Sequence, residues 1–561
     1  MPLQKRDKEF RLPKISYLDF KHTEMDRVLT VLFSRIQHQG YTSRLWKGKP
    51  TTIADFREHF LQKKKLFRDF DKYPDVFTRW LETHLLDLVN RGKQEEEAVA
   101  APRPLHGLTY RFRNPKHCRD YGASRQIYEM LKYGRSGKGL NTLQRLKAFF
   151  FAGVDNVTDR VDDTALIDVE TQALLGLTAS DVQSDAPDTK NEEASYPPLC
   201  IGAADLMADD VTRLLIYKDF IPRSVMVDYL KILLSFHLAL YHLRVMKMLP
   251  ILVKKAEGDF ICGHGRCPMD PQNGDAPQGD CPYQIALLVD VAGIPGTHVS
   301  DLATRSADFH YRRIPPFLKG YFVTRKLDEF SKHLKTINRI PQVDLPLGEV
   351  LELQKPEWKK ERDIFFGQRR VALLETEEDD SIRDPQLETI YQLGLDDFNL
   401  YMECVYLLAS NVPRRNLVNA LDSLLLKNRP GALLAQGRAK GGQRRFILDS
   451  RLLEVLLQIA VLRTGGERGY HTAEIRIEEI LSFIRERYGV YVDRLPDGEG
   501  FEHPSIADRE SLRGNTEAFK SKLREIGFYQ DLSDAYITQH VTPRYVIKSE
   551  GAIQKAKARF S

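Results

Sequence analysis

Cysteine is scarce in this sequence, with 6 residues among 561, and that scarcity excludes a disulfide-stapled scaffold. The first residues, MPLQKRDKEFRLPK, are charged and lack the apolar stretch of a signal peptide. Neither sign of charge dominates, since 83 Lys and Arg face 78 Asp and Glu for a net charge of +5. We therefore expect a cytoplasmic protein whose basic character matters only where it is concentrated.

Long uncharged hydrophobic runs are also missing. The most apolar stretch, Val225–Val253, contains six ionisable side chains, namely Asp228, Lys231, His237, His242, Arg244 and Lys247. Because a bilayer span excludes most such groups, the stretch predicts a buried helix and no membrane association. His237 and His242 lie about 140° apart on such a helix, so we expect core or interface histidines rather than co-ligands of a metal.

Short catalytic signatures are absent as well. The sequence has no G-x-S-x-G, no H-E-x-x-H and no G-x-G-x-x-G on a strand–helix turn. The segment GRSGKGLN, from Gly134, resembles a phosphate-binding loop, but Gly139 occupies the position of the Ser or Thr that binds Mg²⁺. These motifs therefore assign the sequence to no standard enzyme family.

Amphipathic helices dominate what is present. Apolar residues recur at spacings of three and four through most of the chain, and 42% hydrophobic residues allow more than one core. The sequence predicts a mainly α (α+β) multidomain protein with a small central β element, in which YQIALLVDV is the best strand. The expected divisions are a helical domain 1–180, a linker 181–198, a central helical domain 199–345 with a cysteine-rich loop 259–296, a connector with a helical segment 346–410, and a C-terminal domain 411–561.

The C-terminal domain has the residue order of a winged helix. Two amphipathic helices, SRLLEVLLQIAVLR and IRIEEILSFIRERYG, are followed by a third, TEAFKSKLREI, which we expect to begin after an N-cap at Asn515 and to end at Gly527. Two short strands around a polar turn, 528–547, then predict the wing. In the third helix Phe519, Leu523 and Ile526 should face the core.

Cations around this domain suit duplex DNA. The predicted contact set comprises Lys520, Lys522, Arg524, Arg544, Arg438, Lys440, Arg444 and Arg445. Outward cations neutralise phosphates and supply most non-specific affinity. Two other interpretations stay open: solvated charges on a protein-docking winged helix, and a β-hairpin turn in GRAKGGQRRF whose charges keep an edge soluble.

Half of the cysteines fall in one Gly/Pro-rich segment. Cys262, His264, Cys267 and Cys281 offer soft thiolates and an imidazole, which suit a structural Zn²⁺ ion. The segment lacks a second C-x-x-C knuckle, so His298 or His310 is an alternative fourth ligand. The competing interpretation is a loop with reduced, unligated thiols.

Two acidic sets are candidates for a catalytic metal. Asp290 ends the best strand, and the second set comprises Asp162, Asp163, Asp168 and Glu170. A two-metal nuclease needs convergent carboxylates, but neither set has a lysine nearby in the sequence. A strand-terminal Asp is also a common helix cap, and acidic loops are usually solvated.

The blocks RSADFHYRRI and FLKGYF, and the ending LREIGFYQDLSDAYITQHVTPRY, are similar to a large accessory subunit of a multi-gene bacterial antiviral defence island, such as the methylation-associated defence system. The resemblance implies a non-enzymatic component that works with other defence proteins on invading DNA. We therefore expect a DNA-binding and scaffolding subunit. The alternatives are a metal-dependent nuclease and a pure protein-interaction subunit, and the sequence leaves the oligomeric state open.

Overall fold

A computed structural model describes most of the chain. The described residues are 10–44, 50–62, 67–89, 98–154, 167–179, 185–191, 194–256, 281–375, 385–438, 441–465, 469–529 and 540–548. Helices account for most of them, which confirms the mainly α prediction.

The helices of the first half end with one very long helix. They are α1 Met25–Gln37, α2 Ile53–Leu61, α3 Pro74–Trp80, α4 Ala123–Lys132, α5 Lys138–Phe150, α6 Val169–Ala179, α7 Ile201–Leu215 and α8 Arg223–Lys255. Helix α8 passes the length and hydropathy criteria for a membrane span, but 78% of that window is buried inside the protein. Its side chains pack against α7 and later helices, so α8 forms part of the core.

The helices of the second half complete that core. They are α9 His298–Tyr311, α10 Ile314–Thr336, α11 Leu347–Glu352, α12 Lys359–Glu375, α13 Pro385–Tyr391, α14 Asp397–Ala409, α15 Asn411–Leu424, α16 Ser450–Ala460, α17 Ile477–Tyr488 and α18 Ile506–Glu525. Buried apolar residues form one large cluster. Its members range along the sequence from Leu12 to Ile547.

The strands are short and lie between helices. They are β1 Leu86–Val89, β2 Ala98–Pro102, β3 Leu287–Leu288, β4 Leu434–Gln436, β5 Arg444–Phe446, β6 Leu462–Thr464, β7 Tyr470–Thr472, β8 Ile475–Arg476, β9 Val490–Tyr491 and β10 His540–Val541. The pairs β1–β2, β4–β5, β6–β7 and β8–β10 are antiparallel, whereas β3–β9 is parallel. The best predicted strand is thus confirmed in position, although its regular part is shorter than expected.

The segment 287–290, which includes β3, lies between two partners. Leu287 and Val289 donate backbone N–H bonds to Gly489 and Tyr491 on one side, and Asp290 donates to Phe446 on the other. The hairpin β4–β5 therefore sits beside the central segment, which brings residues of the predicted basic loop close to Asp290.

One group of charges buried in the core is paired. Asp210 of α7 accepts hydrogen bonds from His237 of α8 and from Arg487 and Tyr488 of α17. His242 lies against Leu238 O and Ser16 Oγ. The prediction that His237 and His242 are core histidines is confirmed, since both are at most 3% exposed.

Candidate nucleic-acid interface

Helix α18 begins ten residues earlier than its predicted start. Ser505 caps the helix, and its hydroxyl accepts from Asp508 N while the Asp508 carboxylate accepts from Ser505 N. This reciprocal capping box satisfies two backbone donors. The predicted N-cap at Asn515 is therefore wrong, because Asn515 lies inside the helix and its side chain is used elsewhere.

Asn515 fixes α18 to the central strands. Its amide donates to Val289 O and Val492 O and accepts from Val291 N, each at 2.9 Å, and the residue is 1% exposed. Phe519 and Leu523 are fully buried on the same side, as the sequence predicts. One side of α18 is therefore held rigidly against the core.

A neighbouring side of α18, about 110° around the helix, exposes cations that the sequence analysis missed. Arg509 and Arg513 are exposed, as is the predicted Arg524. The predicted start at Asn515 left Arg509 and Arg513 outside the helix. The signal that would have found them is the Ser-x-x-Asp pattern at Ser505, which marks the true N-terminus.

The predicted α18 cations differ in their surroundings. Lys520 pairs with Glu517 at 2.7 Å, and Arg524 lies over the Tyr529 ring at 5.2 Å. Lys522 points inward and donates to Leu448 O at 2.7 Å, and burial lowers its pKa. Arg524 is thus exposed, whereas Lys522 is half-buried and the Lys520 side chain is 19% exposed.

The cations of the basic loop belong largely to a β-hairpin. Arg444 makes two bonds to the Asp422 carboxylate, at 2.8 and 2.9 Å, and stacks over Tyr311. Arg445 donates to Gly293 O at 2.5 Å. Arg438 is exposed next to the turn, and Lys440 lies outside the described residues. The hairpin of the alternative interpretation is therefore present, with Arg444 turned toward an acid and Arg445 toward a carbonyl of the protein.

Arg544 also meets an internal acid. Its guanidinium bonds to the Glu454 carboxylate of α16 and lies 5.7 Å from the centre of the Phe528 ring. Thr542 N donates to Phe528 O at 3.0 Å, and β10 pairs with β8. These contacts hold the end of the predicted wing, 528–547, against α16 and α17, while residues 530–539 of that wing lie outside the described residues.

Asp290 is brought together with two of the predicted cations. One carboxylate oxygen accepts from Gly293 N at 2.8 Å, and the other lies 3.5 Å from Arg445 Nε. Lys522 is close enough to favour the ionised form. Burial raises the pKa of Asp290, and the attraction of Arg445 and Lys522 only partly offsets that rise. Asp290 is thus a fully buried turn-capping carboxylate.

The second acidic set is described only at Asp168 and Glu170. Asp168 caps α6 by accepting from Thr171 N and Thr171 Oγ1, at 2.8 and 2.9 Å. Glu170 lies in the first turn of α6. Asp162 and Asp163 lie outside the described residues. Asp168 therefore caps a helix, whereas the alternative that the sequence analysis gave for this set was a solvated acidic loop.

Most of the predicted metal ligands lie outside the described residues, namely Cys262, His264 and Cys267. Cys281 is half-buried. The alternative ligands are engaged, since His298 bonds to Asp508 at 2.7 Å and His310 to Ala286 O at 2.9 Å. Within the described ranges no group of three His, Cys, Asp or Glu side chains is placed to hold a metal ion.

A cavity of about 470 Å³ lies between α1, the start of α8 and the turn before β4. Most of its charges are paired with one another, and Arg451 pairs with Glu454 of α16. Arg429 makes two bonds to Glu24, and Lys231 lies between Asp26 and Asp228 at 2.9 and 2.6 Å. The cavity therefore favours no ligand of a particular charge.

A family model described as methylation-associated defense system protein MAD7 matches residues 5–545. No curated protein and no solved structure matches the chain. The match covers nearly the whole chain and includes both blocks, 305–322 and 523–545, that resemble a defence-island subunit.

Proposed function

The chain belongs to the family of the methylation-associated defense system protein MAD7, and from this premise we propose that it is a non-enzymatic, DNA-binding and scaffolding subunit of such a system. Its partners would be duplex DNA and other proteins of the same defense system. The resemblance seen in the sequence is confirmed at the level of the defense system. The DNA-binding role is an inference from the C-terminal region.

The observation that carries this proposal is the arrangement of α16, α17, α18 and the β8–β10 pair. A strand before α17 pairs with a strand after α18, and the backbone bond from Thr542 to Phe528 closes the chain after α18. In a winged helix this order presents the third helix to the major groove. Helix α18 would be that helix, with its exposed side toward DNA.

The scaffolding part of the proposal is supported by the continuity of the core. Helices α7 and α8 contact α16 directly, so the N-terminal and central helices form a platform for the C-terminal region. Partner proteins docked on that platform would be held at a fixed position relative to DNA. Co-purification of the chain with other proteins of its defense system tests this role.

Duplex binding tests the proposal directly. We expect the full-length chain to shift a labelled duplex at low salt and the double variant Lys520→Glu, Arg524→Glu to lose that shift, because four units of charge change on α18. A wild-type chain that leaves the duplex unshifted at low salt rules out the DNA-binding role.

A metal-dependent nuclease is the second candidate, because the structure places Lys522 near Asp290, a pairing that the sequence does not reveal. Against it, a two-metal site needs convergent carboxylates, and Asp290 meets Arg445 rather than a second acid. We expect no cleavage of plasmid DNA with Mg²⁺ or Mn²⁺. Cleavage that is lost in Asp290→Ala would replace the non-enzymatic proposal.

A structural zinc ion at Cys262, His264, Cys267 and Cys281 remains part of the proposal. The support is the clustering of thiols in a sequence otherwise poor in cysteine. Zinc there would brace the loop that precedes β3, the strand against which α18 is fixed.

A further inference from the structure

Four cations lie along one side of α18. Arg509, Arg513, Lys520 and Arg524 are spaced by four, seven and four residues, so at 3.6 residues per turn they fall within about 60° of one another. They extend over about 22 Å of helix. We call these four residues the α18 cation face.

The face divides into two pairs. Arg509 and Arg513 form one pair, and Lys520 and Arg524 form the other. At a rise of about 1.5 Å per residue, the midpoints of the pairs are about 16 Å apart. A B-form major groove is about 12 Å wide between the backbones that flank it. The long side chains of each pair therefore suit one of the two flanking backbones.

We propose that the α18 cation face binds duplex DNA across a major groove, with Arg509 and Arg513 on one phosphate backbone and Lys520 and Arg524 on the other. This inference rests on the DNA-binding function proposed above. It assigns Arg509 and Arg513 to contacts that the chain order of a winged helix does not by itself identify.

The attachment of α18 to the core favours a rigid ligand. Asn515, Phe519 and Leu523 anchor a neighbouring side of α18, about 110° around the helix from the cation face, so the spacing of the cations along the helix is set before binding. Preorganised groups lose little entropy on binding. A regular array of phosphates matches a fixed array of cations, whereas an acidic peptide would have to adapt its own shape to it.

A substitution at Glu517 should change duplex affinity in the opposite direction from the loss of an arginine. Its side chain is 66% exposed, lies between the two pairs and bonds to Lys520. If phosphates approach this face, the carboxylate repels them and holds Lys520 back. Glu517→Gln should therefore raise duplex affinity about threefold, whereas removing the arginines should lower it.

The experiment compares full-length variants by their salt dependence. We expect Arg509→Ala, Arg513→Ala to weaken duplex binding by about tenfold and to reduce the slope of log K against log salt by about 2, since each phosphate contact contributes about 0.9. Arg509→Lys, Arg513→Lys should retain that slope. The matched control is Arg414→Ala, Arg415→Ala, which removes two exposed arginines of α15 and should bind as wild type.

The outcomes separate this inference from the function on which it rests. A wild-type chain without duplex affinity removes the DNA-binding function itself. Wild-type binding with an unchanged slope in Arg509→Ala, Arg513→Ala overturns only the α18 cation face and leaves that face to another partner, such as an acidic protein. Equal losses in the variant and in the α15 control also overturn it, because the effect would then follow net charge alone.

Discussion

At the scale of single residues, internal partners determine which cations are available to a ligand. Arg444 and Arg544 bond to Asp422 and Glu454, and Lys522 to a backbone carbonyl. Composition and spacing do not show such pairing, because the acids lie far away in the sequence. The arginines of a basic segment such as GRAKGGQRRF can therefore serve mainly to stabilise the fold.

Asn515 should be among the most sensitive polar residues of the C-terminal region. We expect Asn515→Ala to lower the free energy of unfolding by about 3 kcal/mol, because three buried backbone groups lose their partner and each costs about 1 kcal/mol or more. Urea unfolding measures this change. The control Ser521→Ala, at an exposed position of α18, should differ little from wild type, and equal stability of the two variants would contradict the assigned role.

Buried histidines should make the protein sensitive to acid. Burial lowers the pKa of His242 and of His310 to about 4, and that of His106 to about 3. An unfolded histidine has a pKa of about 6.5, so the unfolded chain takes up protons first and stability falls as the pH falls below about 6.5.

The free energy of unfolding should therefore decrease by about 1 kcal/mol for each of these three histidines between pH 7.5 and pH 5.5. His242→Gln should remove about one third of that decrease, whereas His503→Gln, at an exposed position, should preserve it. An unfolding free energy that is constant over this pH interval would refute the buried, neutral state of these histidines.

At the scale of elements, the sequence predicts the existence of helices better than their bounds. The pattern of Phe519 and Leu523 correctly identifies the buried side of α18. The start of the helix is misplaced because Asn515 has the residue type of a cap but serves as a tertiary anchor. That role depends on Val289 and Val492, which only the folded chain brings to it.

Two glycines of neighbouring helices should respond in opposite directions. Gly489 ends α17 with a φ of +73°, and a Cβ there would lie 2.0 Å from Ile285 O, so Gly489→Ala should destabilise the protein by more than about 2 kcal/mol. Gly514 lies inside α18 with open space around it, so Gly514→Ala should stabilise by about 0.5 to 1 kcal/mol. Thermal unfolding of both variants checks the signs, and a stabilised Gly489→Ala would contradict the close approach.

At the scale of the whole molecule, one cluster of buried residues connects sequence segments that looked separable. Arg487 of α17 reaches Asp210 of α7, and Lys14 bonds to Asp328 of α10 at 2.6 Å. These contacts span hundreds of residues in the sequence. No local pattern indicates them, which is why packing between segments is the part of the fold that the sequence does not predict.

The zinc content of the purified protein is also a property of the whole molecule. We expect the purified full-length chain to contain about one zinc per molecule by elemental analysis. Cys267→Ser should lower that ratio, because a thiolate ligand is lost, whereas Cys118→Ala, at a buried cysteine far from the loop in sequence, should retain it. Absence of zinc from wild-type protein prepared without chelator would remove the metal from the account.

The central claim is that this defense-system protein holds duplex DNA without cutting it. Its most direct test is an anisotropy titration of labelled duplex with the full-length chain in Mg²⁺, repeated from about 50 to about 200 mM salt, after which the DNA is examined for breaks. We expect binding whose log K falls linearly with log salt, with a slope of about −3 or steeper for four phosphate contacts, and intact DNA. Absence of binding at about 50 mM salt, or cleaved duplex, would contradict the claim.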